Sequence, residues 1–402
     1  MTKDLAQELA TRIQRIKPSP TLAVSARAEE LQAEGKNIIN LSVGEPDFDT
    51  PQHIKQAAIS AIQAGHTKYT AVDGIKSLKQ AIIKKFSNEN NLKYALNQIL
   101  VSSGAKHSLY NLFTSIINPG DEVIIPAPYW VSYPDMVMLA EGSPVIVKTD
   151  FSQQFKMTPA QLEAAITEKT RAVIFNSPSN PTGITYSKAE LVELGRIILK
   201  HPKIMVISDD IYEHNLWNHL PFTNILNACP ELYERCIVVN GVSKAYAMTG
   251  WRIGYAAGPT KIIAAMKKAQ SQSTSSPSTI SQYAALAALE GDQTCVRTMT
   301  DAYRERHDYF VGELQRIPGI QCTPSDGTFY TFPSVQELLT KNPEVTNDLQ
   351  FAEYLLAKAD LAVIPGSAFG TPGHIRLSYA TSMKNLIEAV QRLRNAIQSL
   401  SA

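Results

Sequence analysis

Between about residue 95 and residue 260 the chain alternates short β-rich apolar runs with helical segments. The runs are ILVSSG, EVIIPAP, SPVIVKT, RAVIFNSP, IMVISD, CIVVNG and RIGYAAG, and amphipathic stretches such as HSLYNLFTSI, PAQLEAAI and KAELVELGRIIL separate several of them. Strands of about four to six residues alternating with helices predict a largely parallel α/β sheet covered on both faces. Ligands of such sheets collect at the carboxyl ends of the strands, and there the polar residues cluster. SSGAK follows ILV, PAPYW follows EVII, NSPSNPTG follows RAVIF, SDDIY follows IMVI, and GVSK follows CIVVN. The apolar halves of these segments read as core.

The pattern changes after the short run SQSTSSPST at Ser271 to Thr279. Residues 281 to 317 read as long helices, and the tail from about 318 mixes strands with helices, ending in the helical MKNLIEAVQRLRNAIQSL. The expected division is a large domain over residues 51–295 and a smaller α/β domain over 296–402. Residues 1–50, a helix plus the extended LSVGEPDFDTP, are too few to fold alone and are expected to pack with the small domain.

Composition narrows the function classes. The 402 residues are 44% hydrophobic and 19% charged with a net charge of +1, so no global field draws nucleic acid or an anionic membrane surface. The N-terminal MTKDLAQELATRIQRIKPSP scatters charges and lacks the apolar core of a secretory signal. No apolar run approaches the roughly 18 residues of a membrane span. Cys229, Cys236, Cys295 and Cys322 show no metal-ligand spacing and read as free thiols in a reducing compartment. A soluble, cytoplasmic chain with no metal is expected.

The chemistry concentrates in GVSKAYAMTGWRIGY. Lys244 lies just past a buried strand, and Arg252 follows within a Gly-flanked turn. The pair suits a lysine that joins a carbonyl group covalently and an arginine that, with neighbouring hydroxyls, holds a phosphate. Asp209 and Tyr212, in SDDIY, read singly as a helix cap; beside such a lysine, Asp209 suits a protonated pyridine nitrogen and Tyr212 the ring's phenolic oxygen. Asn180 stands on the Pro- and Gly-shaped loop NSPSNPTG. Trp130 can stack on a heteroaromatic ring or serve as half-buried core. SSGAK opens a helix, so the amides of Gly104, Ala105 and Lys106 can receive phosphate oxygens. Arg376, in IRLSYA, suits bidentate binding of a carboxylate.

LSVGEPDFDTP, KYT with a nearby Gly, PYW, NSPSNPTG, SDDIY, SKAYAMTGWRIGY and IRLSY, in this order, resemble the fold-type I, class I and II aminotransferases over essentially the whole chain. The likeness is greatest to the bacterial aspartate aminotransferase subgroup that also includes prephenate aminotransferases. The resemblance implies pyridoxal 5′-phosphate bound to Lys244, whose amine then shuttles a proton between substrate Cα and cofactor. It implies that Asp209, Tyr212 and Asn180 tune the ring and Trp130 stacks on it. Arg252, Ser243 and the amides of Gly104 to Lys106 would cradle the phosphate. Tyr69 matches a residue that reaches the neighbouring subunit's phosphate, implying a homodimer with shared sites. Gly44 and Arg376 match groups that bind the substrate's backbone-like carboxylate. One departure stands out: the relatives with a Ser three residues before the lysine have a hydroxyl there, whereas this chain has Gly241.

A dicarboxylic substrate needs a second cation, for which Lys106 is the candidate by resemblance. Lys17 and Thr21, in IKPSPT, match positions tied to prephenate. The expected reaction is transamination between aspartate and 2-oxoglutarate, with prephenate as an additional acceptor. The alternatives are transamination of aromatic or neutral amino acids, and a β-lyase on the same fold. A DNA-binding regulator that borrowed this domain would need a basic N-terminal module, and the residues before LSVGEP are not strongly basic.

Overall fold

The structure, a computed structural model, describes residues 9–18, 20–217 and 221–401. Residues 1–8 of the N-terminal segment and Ser19 of IKPSPT lie outside them.

Among the described residues, β1 (Ile39–Asn40) precedes seven strands of one sheet. These are β2 (Ile99–Ser102), β3 (Glu122–Ala127), β4 (Ser143–Lys148), β5 (Thr170–Asn176), β6 (Met205–Asp209), β7 (Cys236–Gly241) and β8 (Gly254–Ala257). Their spatial order is β2-β8-β7-β6-β5-β3-β4. The sheet is parallel except at β8, which pairs antiparallel with β2 and β7. RIGYAAG therefore runs against the direction of the other strands. Its reversal brings Gly254 opposite both Gly241 and Ser102, so Arg252 enters the same sheet edge as the strand ends.

Alternate strand residues divide between two apolar layers. Val101, Ile124, Val173, Val206 and Val238 face one layer, and Leu100, Val123, Ile174, Ile207 and Val239 face the other. A strand buried on both faces reads as one continuous apolar run, which is how β5, β6 and β7 read in the sequence. Local signals set the helix ends. Ser187 Oγ accepts from the Glu190 amide at 3.3 Å while the Glu190 carboxylate accepts from the Ser187 amide at 2.7 Å, a capping box that starts the helix Lys188–Leu199. Asn91, in the left-handed region at φ 52°, stops the helix Lys76–Asn90.

A third apolar cluster joins Leu41, Tyr303, Phe310, Phe329, Phe351, Leu377 and Leu393 around β9 (Tyr330–Thr331), β10 (Leu361–Ala362), β11 (Ile364–Pro365) and β12 (Ile375–Ser378). Ile211 and Tyr212, just past β6, belong to this cluster, so the end of the large sheet and the smaller sheet share a packed boundary. The helix Pro20–Ala33 packs on β10 and β11, and the turn Thr11–Gln14 packs on the helix Ser132–Leu139. No helix among the described residues is long and apolar enough to cross a membrane.

Candidate active site

The carboxyl ends of β2, β3, β5, β6 and β7, with the amino end of β8 among them, open onto a cavity of about 510 Å³. Tyr330 and Arg376 close it from the smaller sheet, and Thr21, Ser42 and Gly44 from the N-terminal segment.

Lys244 leaves the end of β7 into this cavity. Its Nζ donates to the Gly44 carbonyl oxygen at 2.6 Å and stands 6.0 Å from the ring centroids of Tyr212 and Phe329. Enclosure by protein lowers its pKa to about 8; the Glu45 carboxylate opposes this, and Arg376, Arg252 and Lys106 reinforce it. Near pH 8 the side chain is thus partly a neutral nucleophilic amine, whereas an ordinary lysine is almost wholly protonated.

β6 delivers Asp209 in a buried position. The Tyr133 hydroxyl donates to its Oδ2 at 2.6 Å and the Ile211 amide to its Oδ1 at 3.3 Å. Burial raises the Asp209 pKa to about 6, against the pull of these donors and of Lys244. Both hydrogen-bond donors are neutral, so the carboxylate suits a cationic ligand atom. Next to it the Tyr212 hydroxyl lies 3.1 Å from the Tyr330 hydroxyl. Burial, with Tyr330 beside it, pushes the Tyr212 phenol well above its usual range and keeps it a proton donor at neutral pH.

Asn176, the last residue of β5, ties two loops together. Its Nδ2 donates to the Asp209 carbonyl at 3.0 Å, and its Oδ1 accepts from the Asn180 amide at 2.8 Å. Asn180 Oδ1 then accepts from Arg376 Nη1 at 3.1 Å, and the Ser42 carbonyl accepts from Nη2 at 2.6 Å. The guanidinium lies 4.5 Å from the Tyr330 ring centroid, and its buried Nε has no hydrogen-bond partner. A buried donor without an acceptor is costly. A carboxylate entering the cavity would meet this guanidinium, which lines its wall.

The second anion locus lies at the start of the helix Ala105–Ile116. Arg252 sits against Gly104, where a Cβ on residue 104 would overlap its guanidinium. The amides of Ala105 and Lys106 head the helix without intrahelical acceptors. The Gly104 amide does not join them: it donates to the Ser102 carbonyl at 2.7 Å. The tight turn thus uses the first of the three successive amides expected to face the anion. Arg252, the two remaining amides and Ser243 fit a phosphate group, which takes several donors and a planar guanidinium. At residue 254 a Cβ would overlap the Ala105 amide nitrogen. Gly254→Ala is therefore expected to push the helix start off β8, lowering unfolding free energy by about 1–3 kcal/mol in urea titrations. Gly241 is less tightly constrained: a Cβ there would lie 3.0 Å from the Ile253 carbonyl oxygen.

Trp130, half-buried at the cavity wall, meets Tyr133 edge-on at 5.2 Å, and Lys106 Nζ lies 4.9 Å from its ring centroid. Burial and the charge of Arg252 lower the Lys106 pKa.

Two residues singled out from the sequence stand apart. Tyr69 is 92% exposed and does not line the cavity. Lys17 is also exposed, its charge acting on Asp135 outside the cavity, although Thr21 from the same stretch lines the wall. Conversely, Tyr133, Asn176, Ser42, Glu45 and Tyr330 were not singled out. Tyr133 and Asn176 share the segments of Trp130 and Asn180 and were open to suspicion. Nothing in GTFYTFP marks Tyr330.

A profile of the family Aminotransferase class I and II matches residues 36–393. The aspartate/prephenate aminotransferase of Nitrosomonas europaea is 56% identical over 97% of this chain and 100% of its own length. The crystal structure of the aspartate aminotransferase from Rhizobium meliloti superposes with a TM-score of 0.94 at 48% identity, covering 98% of this chain and 99% of that one. Aspartate aminotransferase from Thermus thermophilus with maleate gives a TM-score of 0.91 at 42% identity, covering 96% and 99%.

Proposed function

The chain belongs to the class I and II aminotransferases, and on that premise we propose that it uses pyridoxal 5′-phosphate to transfer the amino group of L-aspartate to 2-oxoglutarate. The observation that carries this reading is the convergence, in one cavity, of a lysine amine, a buried carboxylate without a cationic hydrogen-bond partner, and two separate anion-binding loci.

The residues present fit the cofactor. Arg252, Ser243 and the amides of Ala105 and Lys106 would hold its phosphate, Trp130 would cover a ring face, and Asp209, Tyr212 and Asn180 would meet the ring's polar edge. When bound, pyridoxal phosphate supplies an aldehyde that takes up amino groups and a ring that accepts electron density from the substrate's Cα. This chain's residues do the rest. Asp209 keeps a positive charge favourable at the ring nitrogen. Arg376 would hold the substrate's α-carboxylate in the cavity that Lys244 also lines. That amine, already depressed in pKa, would take the proton from the substrate's Cα and, staying on the same side of the bound cofactor, would hold it for redelivery. Tyr330 and Phe369, stacked on the Arg376 guanidinium, hold it rigid.

Lys106 supports the choice of a dicarboxylic substrate: it stands at the same wall as Trp130, apart from Arg376, and the maleate of the Thermus structure is itself a dicarboxylate. Lys106→Ala is expected to lower kcat/KM for aspartate by about 10- to 100-fold, the worth of a charged hydrogen bond, while leaving alanine within about threefold. An equal loss on both would remove Lys106 from distal recognition. Prephenate is the second acceptor we propose, supported by the name of the Nitrosomonas relative and by Thr21 at the cavity wall. Measuring keto acid against ammonia across a panel of amino donors tests the whole reading. Oxaloacetate in step with glutamate supports it; ammonia release identifies a lyase.

The proposal includes a homodimer, in which the exposed Tyr69 meets the phosphate of a second copy. It also includes action in the cytoplasm, in keeping with four unpaired cysteines.

A further inference from the structure

Behind the strand ends, on the side away from the cavity, lies a buried polar cluster. Lys85 projects from the helix Lys76–Asn90 and its ammonium meets the Glu213 carboxylate, both side chains being almost wholly buried. Lys85 Nζ also donates to Asn90 Oδ1 at 2.7 Å, and Asn90 Nδ2 donates to the other Glu213 oxygen at 2.7 Å. The chain thus closes a ring of three side chains around one ion pair. Glu89 stands 3.6 Å from Lys85 Nζ, His214 bonds Glu89 at 2.8 Å, and the charge of Lys85 reaches Asp210. Glu89, Glu213 and His214 bring ligand atoms within 4.8 Å of one another, but the Lys85 ammonium already supplies the cation.

What makes the cluster more than a buried pair is its reach. Glu213 directly follows Tyr212, and its amide donates to the Asp210 carbonyl at 3.0 Å, so the carboxylate is rigidly joined to the Asp209–Tyr212 turn. Its Oε1 accepts from Asn240 Nδ2 at 2.7 Å, and Asn240 Oδ1 accepts from the Gly241 amide at 2.7 Å. Gly241 opens the turn that carries Ser243 and Lys244. The β6–β7 ladder registers Asp209 against Val239, and beyond it the two turns are joined by this side-chain bridge.

We propose that the Lys85–Glu213 pair is a positioning device: through Asn240 it fixes the turn bearing Asp209 and Tyr212 against the turn bearing Lys244. The claim rests on the reading of the cavity as a pyridoxal phosphate site. A buried pair is poor at stabilising a fold compared with apolar packing, but it fixes geometry, because each charge tolerates few arrangements of its partners. Here the arrangement fixed is the separation between a carboxylate, a phenol and an amine that must address the ring nitrogen, the phenolic oxygen and the aldehyde carbon of one rigid cofactor.

Asn240→Ala breaks the bridge and leaves the ion pair whole; Lys85→Met with Glu213→Gln removes both charges together. Each is loaded with pyridoxal phosphate and followed by thermal melting, by cofactor affinity, and by the pH midpoint of the bound cofactor's visible absorbance. Both variants are expected to melt cooperatively, to bind the cofactor roughly tenfold more weakly, and to show the midpoint raised by about half a pH unit or more as Tyr212 drifts from the phenolic oxygen. Folded variants with the parent's midpoint and affinity would overturn the proposal. So would failure of both to fold, which would make the cluster a fold determinant. If the parent chain itself takes up no cofactor, the reading of the cavity fails instead.

Discussion

Lys244→Ala is expected to lower transamination of aspartate by at least about 10⁴-fold, since one amine serves both as the covalent anchor and as the base at Cα. The variant should still bind pyridoxal phosphate, because Arg252, Ser243 and the helix amides are untouched. Equilibrium dialysis of the variant and a coupled oxaloacetate assay check the two halves separately. The expected outcome is retained affinity with lost turnover. Near-normal turnover would transfer the role to another amine, and Lys106 is the other lysine of the cavity wall.

The second large effect runs in opposite directions for activity and for stability. Asp209→Asn should reduce turnover roughly 10³-fold, because a neutral amide does not hold positive charge at the ring nitrogen. In the cofactor-free protein the same change should stabilise the fold. Burial lifts the Asp209 pKa from 3.8 to about 6, so ionising it in the folded state costs free energy. That cost is absent below pH 3.8 and complete above pH 6, the two limits of the shift. At about 1.4 kcal/mol per pK unit, relief on the order of 1–3 kcal/mol is expected at pH 7 and little at pH 4. Urea unfolding at the two pH values measures it. Saturating pyridoxal phosphate should reverse the order, because the cofactor stabilises the parent by mass action more than the variant. Equal stability of parent and variant at pH 7 would mean that the carboxylate is already compensated.

How far the sequence foretells this arrangement depends on where the determinants lie. Strands buried on both faces leave unbroken apolar runs, so β5, β6 and β7 and their polar ends are legible residue by residue. Lys244, Asp209, Asn180, Trp130 and Arg252, which line the cavity, stand out in the sequence because each follows such a run or enters at its edge. β8 was legible as a strand but not in its direction; only its pairing with β2 and β7 reveals that Arg252 arrives from the opposite sense. The Gly104 amide looked free in sequence and is used by its own turn. Tyr330 and Ser42 reach the cavity from segments far from the strand ends, and no local pattern marks a side chain whose role is set by a distant partner. Tyr133 supplies the hydrogen bond that holds Asp209, yet in PYWVSYP it reads as one more aromatic. Tyr69 is exposed and apart from the cavity in the single chain, and the role proposed for it depends on a second copy.

The departure at Gly241 illustrates the same division. A missing hydroxyl reads in sequence as a missing phosphate ligand. In the fold the position is tightly packed: a Cβ at residue 241 would lie 3.0 Å from the Ile253 carbonyl oxygen of the chain entering β8. In the proposed function the phosphate would be held by Arg252, Ser243 and the helix start, all of which line the cavity or border it.

Borohydride reduction of the pyridoxal phosphate-loaded protein, followed by peptide mapping, tests most directly whether the Lys244 amine carries the cofactor. The account predicts one labelled peptide, containing Lys244, and loss of that label when aspartate is added before reduction. A label on any other lysine, or none on Lys244, would contradict it.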